Sequence, residues 1–291
     1  MNLFLLGKTG GITHWTEDLA ADLRLSGHIV TIIPTRNPWL SKGLEQALLS
    51  PSIGAPLARA VVRRMRQMRP DLLLAVGALD QFPLPLFQTL ANAPDRPPLV
   101  AWIGDTFQPH HATIAETFDV VAYTDTGLLA LHQQYGFRCQ AAFVPLGATR
   151  AGTAPSDGPR NDRLAFVAAP TDNRRALLAD VAAPVAIYGP GWQNAAGLAH
   201  HHIAARRIMP DELSRLYANH LGVLNIRHGL YVINGLNQRH FAPYILGTPV
   251  ITDAQPDIPH CFEPGTEMLV YEDAANLNDL YAALRRDPAR A

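Results

Sequence analysis

The chain has 291 residues, 48% hydrophobic and 17% charged, with a formal net charge of −1. This length suits two domains of ordinary size, and the near-neutral charge excludes bulk attraction to nucleic acid or acidic lipid, leaving only local contacts. Cys139 and Cys261 stand far apart with no metal-ligand spacing, which excludes a disulfide framework and points to a reducing cytoplasm.

The opening, MNLFLLGKTGG, has no basic leader, and its apolar run covers only Leu3 to Leu6. A buried first strand is expected there rather than a signal peptide. No later run approaches the ~20 apolar residues of a membrane helix. Strand and helix patterns then alternate, with strands expected near 3–6, 29–33, 72–76, 99–103, 120–123 and 141–144. Helices are expected over 13–26, stopped by Gly27, and over 126–135, stopped by Gly136. In LARAVVRRMRQMRP, Leu57, Val61, Met65 and Met68 share a helical face, while Arg59, Arg63 and Arg66 lie off it. A solvated helix over the sheet is the preferred reading, and peripheral membrane contact through 57–69 is the alternative.

The stretch PLGATRAGTAPSDGPRND, 145–162, carries no apolar period and reads as a linker. It separates a domain over 1–147 from one over 163–291, with 148–162 between them. The second has strands expected near 164–167, 185–188, 221–226, 250–252 and 268–271, and helices near 174–181, 211–220, 239–246 and 274–286. Two Rossmann-like α/β domains with parallel sheets follow, and ligands are expected in a cleft at the carboxyl ends of their strands.

Several residues are placed to act there. Gly10 and Gly11 allow a tight turn and close backbone approach at a helix amino end. His14 in that helix and Asp105 after VAWIG are candidate general bases, since an unperturbed histidine titrates near ~6.5. The rival readings are a polar first-turn residue for His14 and a turn or N-cap aspartate for Asp105. His110 and His111 read as solvated loop residues. His200, His201 and His202 cannot all face one ion from regular structure and have no carboxylate or cysteine partner at ligand spacing, so a surface loop is expected and no metal site. Asn225, Arg227 and His228 follow an apolar strand, which makes Arg227 a phosphate or sugar contact or an exposed loop arginine. Arg174 and Arg175 open a helix, a weaker signal. Tyr188 and Trp192 either flank a nucleobase or belong to the core.

GGITHWTEDLAADLRLSGHIVTIIP, Gly10 to Pro34, resembles the opening of GT-B glycosyltransferases. In the second half Arg174-Arg175, Tyr188-Gly189 with Trp192, Leu224-Asn225-Ile226, Gly235-Leu236-Asn237 with Arg239 and Phe241, Gly247 with Thr252-Asp253, and Phe262, Gly265 and Glu267 fall in an order and spacing of their own. Over roughly 164–284 that order resembles the carboxyl-terminal domain of the CgeB-like, spore-maturation-type glycosyltransferases. The resemblance implies that the turn from Gly235 to Arg239 sits against a donor diphosphate. It makes Asn237 and Arg239, with Arg227, Arg174, Tyr188, Trp192 and Asn225, the donor-side candidates. A helix amino end and a fixed guanidinium would neutralise the charge that grows on the leaving diphosphate.

The chain departs from that pattern at two positions: Ala242 stands where the family has glutamate, and Asn234 where a second acid lies eight residues earlier. A different nucleotide contact, a different donor class and lost activity are the three explanations, and the retaining mechanism is in doubt. Pro243 follows at once, so the helix is expected to begin nearer Arg239 than Asn237. The expected function is a cytoplasmic, metal-independent, hexosyltransferase-like enzyme that needs no cofactor. It would use a UDP-, GDP- or dTDP-linked sugar and a glycan, lipid-linked or protein acceptor. The rivals are a nucleotide-sugar epimerase or hydrolase and a non-catalytic binding protein. A two-domain dehydrogenase is disfavoured because Gly7, Gly10 and Gly11 do not make G-x-G-x-x-G and Asp22 lies in the first helix.

Overall fold

Leu3, Phe4, Leu5 and Leu6 are all buried, as expected of a parallel strand covered on both faces. The computed structural model describes residues 1–10, 15–36, 51–150, 160–194, 196–229 and 232–287. The chain divides into two units, Met1–Pro145 and Leu146–Ala291.

In the first unit β1 (Asn2–Lys8), β2 (Ile29–Arg36), β3 (Leu72–Gly77), β4 (Leu99–Ile103), β5 (Val120–Tyr123) and β6 (Gln140–Phe143) form one sheet. Its order is β2-β1-β3-β4-β5-β6, with every pairing parallel. The helices are α1 (Trp15–Leu25), α2 (Pro51–Met68), α3 (Leu84–Ala91), α4 (Ala112–Ala115) and α5 (Thr126–Gln134). Strand alternation sorts the core: Leu3 and Leu5 pack with Ala20 of α1 on one face, and Phe4 and Leu6 with Val61 and Met65 of α2 on the other. Each such buried Leu, Phe, Val or Met side chain stabilises the unit by about 1.5–3 kcal/mol. The expected amphipathic helix is therefore present, with Val61, Val62 and Met65 inward and Arg59, Arg63 and Arg66 exposed. Gly7 lets α1 approach β1, because a Cβ there would lie 2.3 Å from Thr16 Oγ1.

The second unit has β7 (Asn161–Val167), β8 (Val185–Tyr188), β9 (His202–Ala204), β10 (His220–Asn225), β11 (Val250–Asp253) and β12 (Leu269–Tyr271). Their order is β12-β11-β10-β7-β8-β9, again all parallel. The helices are α6 (Asp172–Asp180), α7 (Pro210–Ala218), α8 (Gln238–Ile245), α9 (Ile258–Cys261) and α10 (Ala274–Arg286). The chain runs outward from β7 through β8 and β9, then returns to lay β10 on the other side of β7. The β7/β10 boundary is thus the switch point of this sheet, where open α/β sheets offer a ligand crevice.

Two sequence expectations need correction. The histidine run is not simply a surface loop: His201 is buried and its Nε2 lies 2.8 Å from Leu178 O, while His200 Nε2 lies 3.0 Å from Val181 O. Both imidazoles reach carbonyls at the end of α6 that have no partner within the helix. Helix α8 begins earlier than Pro243 suggested, with Asn237 as its N-cap and Pro243 inside it. Pro243 removes only the bond to Arg239 O, and the helix ends two residues later. The N–H groups of Leu246 and Thr248 then both donate to Pro243 O, at 3.0 and 2.9 Å. Gly247, with φ of +61°, turns the chain out of the helix as expected.

Candidate functional site

The carboxyl ends of β10 and β11 and the start of α8 bring together a buried polar cluster. Asn225, the last residue of β10, is fully buried, as are His240 of α8 and Thr252 of β11. Asn237 caps α8 by accepting the Arg239 N–H at 2.9 Å. Arg239 is half-buried, and its Nε donates to Asn225 Oδ1 at 2.9 Å. Asn237 Nδ2 donates to the same oxygen at 3.3 Å. Among the described residues neither terminal nitrogen of Arg239 has a hydrogen-bond partner.

Arg239 fixes the rest of the cluster. A guanidinium can only donate, so Asn225 must present its oxygen to Arg239 and its nitrogen to His240. That nitrogen lies 2.8 Å from His240 Nε2 and 3.2 Å from Thr252 Oγ1. Gln255 Nε2 is a second amide nitrogen beside His240 Nε2, at 3.2 Å. Two amide donors on one ring nitrogen make that nitrogen the acceptor and put the ring proton on Nδ1, 3.2 Å from Asn237 O. The other tautomer, with Nδ1 accepting the Asn237 N–H at 3.0 Å, would turn the Asn225 amide and set its NH₂ against Arg239 Nε. Burial, with Arg239 nearby, outweighs the Asn237 backbone bond and pushes the His240 pKa down to about 3, so the ring is neutral.

The donor-side candidates divide in this environment. Arg174 is buried, with Nε and one terminal nitrogen on Ile226 O at 3.1 and 2.9 Å and the other on Ala169 O at 2.8 Å. Its guanidinium ties the chain after β7 to the chain after β10, across the switch point. Burial first and Arg239 second push its pKa down to about 10, which leaves it charged at neutral pH. Arg227 is exposed, its backbone N–H donates to Asp253 Oδ1 at 3.1 Å, and its Nε stands 3.5 Å from Asp253 Oδ2. Burial raises the Asp253 pKa, against the lowering effect of the Arg227 backbone N–H.

Trp192 is fully buried, its Nε1 donates to Ala168 O at 2.7 Å, and Arg175 lies over its ring at 5.2 Å. Tyr188 ends β8, yet its hydroxyl stands 3.4 Å from His220 Nε2 at the start of β10, so the ring turns back along the sheet. Gly235 is buried and Asn234 half-buried, and the Asn234 carbonyl accepts the Asp257 N–H at 3.1 Å. Sequence reading named Asn225, Asn237 and Arg239 but did not single out His240 or Gln255. The available signal was position: His240 is three residues past the Asn237 cap, where a side chain reaches back toward the helix start.

In the first unit Gly10 has φ of +68° and its N–H donates to Glu17 Oε1 at 2.6 Å. Gly11 and His14 lie outside the described residues. Asp105, after β4, is half-buried, and burial and then the charge of Asp80 raise its pKa. His111 Nδ1 accepts the Gln108 N–H at 3.0 Å, and burial followed by His110 lowers its pKa. No group of three or more potential metal ligands occurs among the described residues, and none of their helices is long and apolar enough to cross a membrane.

Solved structures share this architecture at low identity. A sucrose-phosphate synthase from Thermosynechococcus elongatus matches with 12% identity and a TM-score of 0.66, covering 100% of this chain and 91% of that one. Anabaena HepE in complex with UDP and glucose matches with 16% identity and a TM-score of 0.60, covering 100% and 91%. The UDP-GlcNAc 2-epimerase of Methanocaldococcus jannaschii matches with 10% identity and a TM-score of 0.56, covering 100% and 94%. No functionally curated protein sequence matches. The fold is the α/β GT-B fold of these neighbours, and residues 171–291, which carry the Asn225, Arg239 and His240 cluster, match the family model described as glycosyl transferase-like.

Proposed function

We propose that the protein transfers a sugar from a nucleotide-activated donor to an acceptor hydroxyl, and that its second unit holds the donor diphosphate at the amino end of α8. The observation that carries this is one coincidence of place. The segment similar to glycosyl transferases puts Asn237 and Arg239 at a helix amino end, at the carboxyl ends of β10 and β11. A helix amino end carries partial positive charge, and Arg239 and Arg227 add fixed cations. As the bond between sugar and diphosphate breaks, the leaving group gains negative charge that this arrangement balances. In the first unit Asp105 or His14 takes the acceptor proton if the reaction inverts. Burial suits Asp105 to that step by raising its proton affinity.

The finer parts of the reading belong to the same proposal: a CgeB-like subtype, a UDP-, GDP- or dTDP-linked hexose, no metal, a cytoplasmic setting and a glycan, lipid-linked or protein acceptor. The absence of acids at Asn234 and Ala242 keeps a second reading in view, a nucleotide-sugar epimerase or hydrolase or a binding protein without turnover. Calorimetric titration of the purified chain and of Arg239→Ala with UDP, GDP, dTDP, ADP and CMP tests the donor site. Binding of one diphosphate that the variant abolishes supports it, and turnover of the matching donor only with acceptor present supports transfer. Absence of binding at millimolar concentration sinks the donor site, and turnover without acceptor favours the epimerase or hydrolase.

A further inference from the structure

Arg239 is held in an unusual way for a cation meant to meet a diphosphate. The hydrogen bonds of its guanidinium, among the described residues, run from Nε to one neutral acceptor, Asn225 Oδ1. A carboxylate hydrogen-bonded to the arginine would oppose its charge at contact distance, whereas an amide oxygen orients the guanidinium and leaves Asp253 as a more distant counter-charge. Arg239 can only donate and therefore asks for the amide oxygen, but Asn225 can hold that orientation only if its buried nitrogen finds an acceptor on the other side. His240 Nε2, 2.8 Å away, supplies it.

We propose that His240 is a positioning residue for Arg239: its unprotonated Nε2 holds the Asn225 amide nitrogen, which keeps the Asn225 oxygen on Arg239 and so aims at the diphosphate a guanidinium that, among the described residues, is hydrogen-bonded to no carboxylate. Nε2 is ringed by Asn225 Nδ2 at 2.8 Å, Thr252 Oγ1 at 3.0 Å and Gln255 Nε2 at 3.2 Å. All of these side chains are buried, so no water competes for the geometry. A donor at the Nε2 position would invert the chain of bonds, because Asn225 would turn its oxygen inward and meet Arg239 Nε with its NH₂. His240 thus acts on the ligand only through Asn225 and Arg239. What the proposal says about the ligand rests on the donor-site reading above, and what it says about Arg239 rests on the network alone.

The test uses the full chain and three variants, His240→Leu, His240→Gln and Asn225→Asp. The Arg239 Nε–H resonance is followed by NMR without ligand, and the affinities for UDP, GDP and dTDP and for the matching nucleosides are followed by calorimetry. Leucine offers no acceptor, so the Arg239 Nε–H loses its exchange protection. Diphosphate affinity falls about tenfold or more while nucleoside affinity stays within about threefold. Glutamine can place an oxygen where Nε2 lies and restores both. Aspartate at 225 keeps an acceptor on Arg239 but adds a compensating charge, so the resonance survives while diphosphate affinity falls.

An unchanged Arg239 resonance in folded His240→Leu, or a His240→Gln variant as impaired as leucine, overturns the proposal. If His240→Leu does not fold, the glutamine and aspartate variants decide it, and aspartate binding diphosphate as tightly as the parent overturns it. If the parent itself binds no nucleoside diphosphate, the donor-site reading fails, and the ligand-free resonance still decides whether His240 positions Arg239.

Discussion

Helices α1 and α8 both start beside the carboxyl ends of a parallel sheet, yet their amino ends are built in opposite ways. The first turn of α1 carries Glu17 and Asp18, and Glu17 already accepts the Gly10 N–H. Its dipole is met by its own carboxylates. The first turn of α8 has no acidic residue: the neutral Asn237 cap is followed by Gln238, Arg239 and His240. Its positive end meets the neutral Asn237 cap and no acid of its own first turn, and the proposed diphosphate would sit there. The same contrast extends to the neighbours, since the first sheet ends near Asp80 and Asp105, and the second near Arg174, Arg227 and Arg239 with Asp253 as their acidic companion. A helix amino end becomes an anion site only where the chain does not fill it first.

The largest effect that would break this contrast lies on the acidic side. Asp105→Asn removes the candidate base, so kcat for transfer falls by about 10²–10⁴-fold, while nucleotide affinity, held by the other unit, stays level. Steady-state rates alongside calorimetry check this, and a fall in nucleotide affinity would count against the division of labour.

Next comes the pH response of the neutral scaffold. His240 has a folded pKa of about 3 against about 6.5 when unfolded, so the unfolded state binds more protons between those values. Its contribution to stability is fully present above about pH 6.5 and is lost progressively as pH falls toward 3, at roughly 1.4 kcal/mol per pH unit. Urea midpoints against pH for the parent and His240→Gln measure it, and the variant curve is flatter below pH 6. Equal slopes would show that burial of His240 does not control acid sensitivity.

On the basic side, Arg239→Ala removes charge-assisted hydrogen bonds of roughly 1.5–3 kcal/mol each, so diphosphate affinity falls about a hundredfold. The thermal midpoint falls as well, because the buried Asn225 Oδ1 loses its 2.9 Å donor and keeps only Asn237 Nδ2 at 3.3 Å, a loss of about 1–3 kcal/mol. The smallest effect belongs away from both helix starts. Arg63→Ser on the exposed face of α2 changes stability by less than about 0.5 kcal/mol and leaves nucleotide binding unchanged. Weaker retention on anionic vesicles in that variant would favour the membrane-peripheral reading of the helix over the solvated one.

Much of the fold was legible because its signals are local. The apolar runs at Leu3–Leu6 and Leu221–Ile226 read as buried strands, and Gly27, Gly136 and Gly247 read as helix stops, with positive φ at all three. Strand β9 was missed: its three residues, His202–Ala204, are too few to show a period and are introduced by two histidines that looked solvated. The place of His201 could not be read either, since its partner Leu178 O is brought to it only by the packing of α6.

Composition and pattern alone determined that this is an α/β chain of parallel-sheet units, that a helix follows the Gly235–Arg239 turn, and that its first turn has no acid. Those are properties of neighbouring residues and of periods of two and 3.6. The tertiary structure decided that Asn237 is the cap of that helix, that Arg174 spends its guanidinium on backbone carbonyls, that Trp192 is core, and that Asn225, His240, Thr252 and Gln255 meet in one buried network. Those residues come from β10, α8, β11 and the turn after it. Which of them meet is set by the order in which strands are laid in the sheet, which no local pattern in the chain encodes.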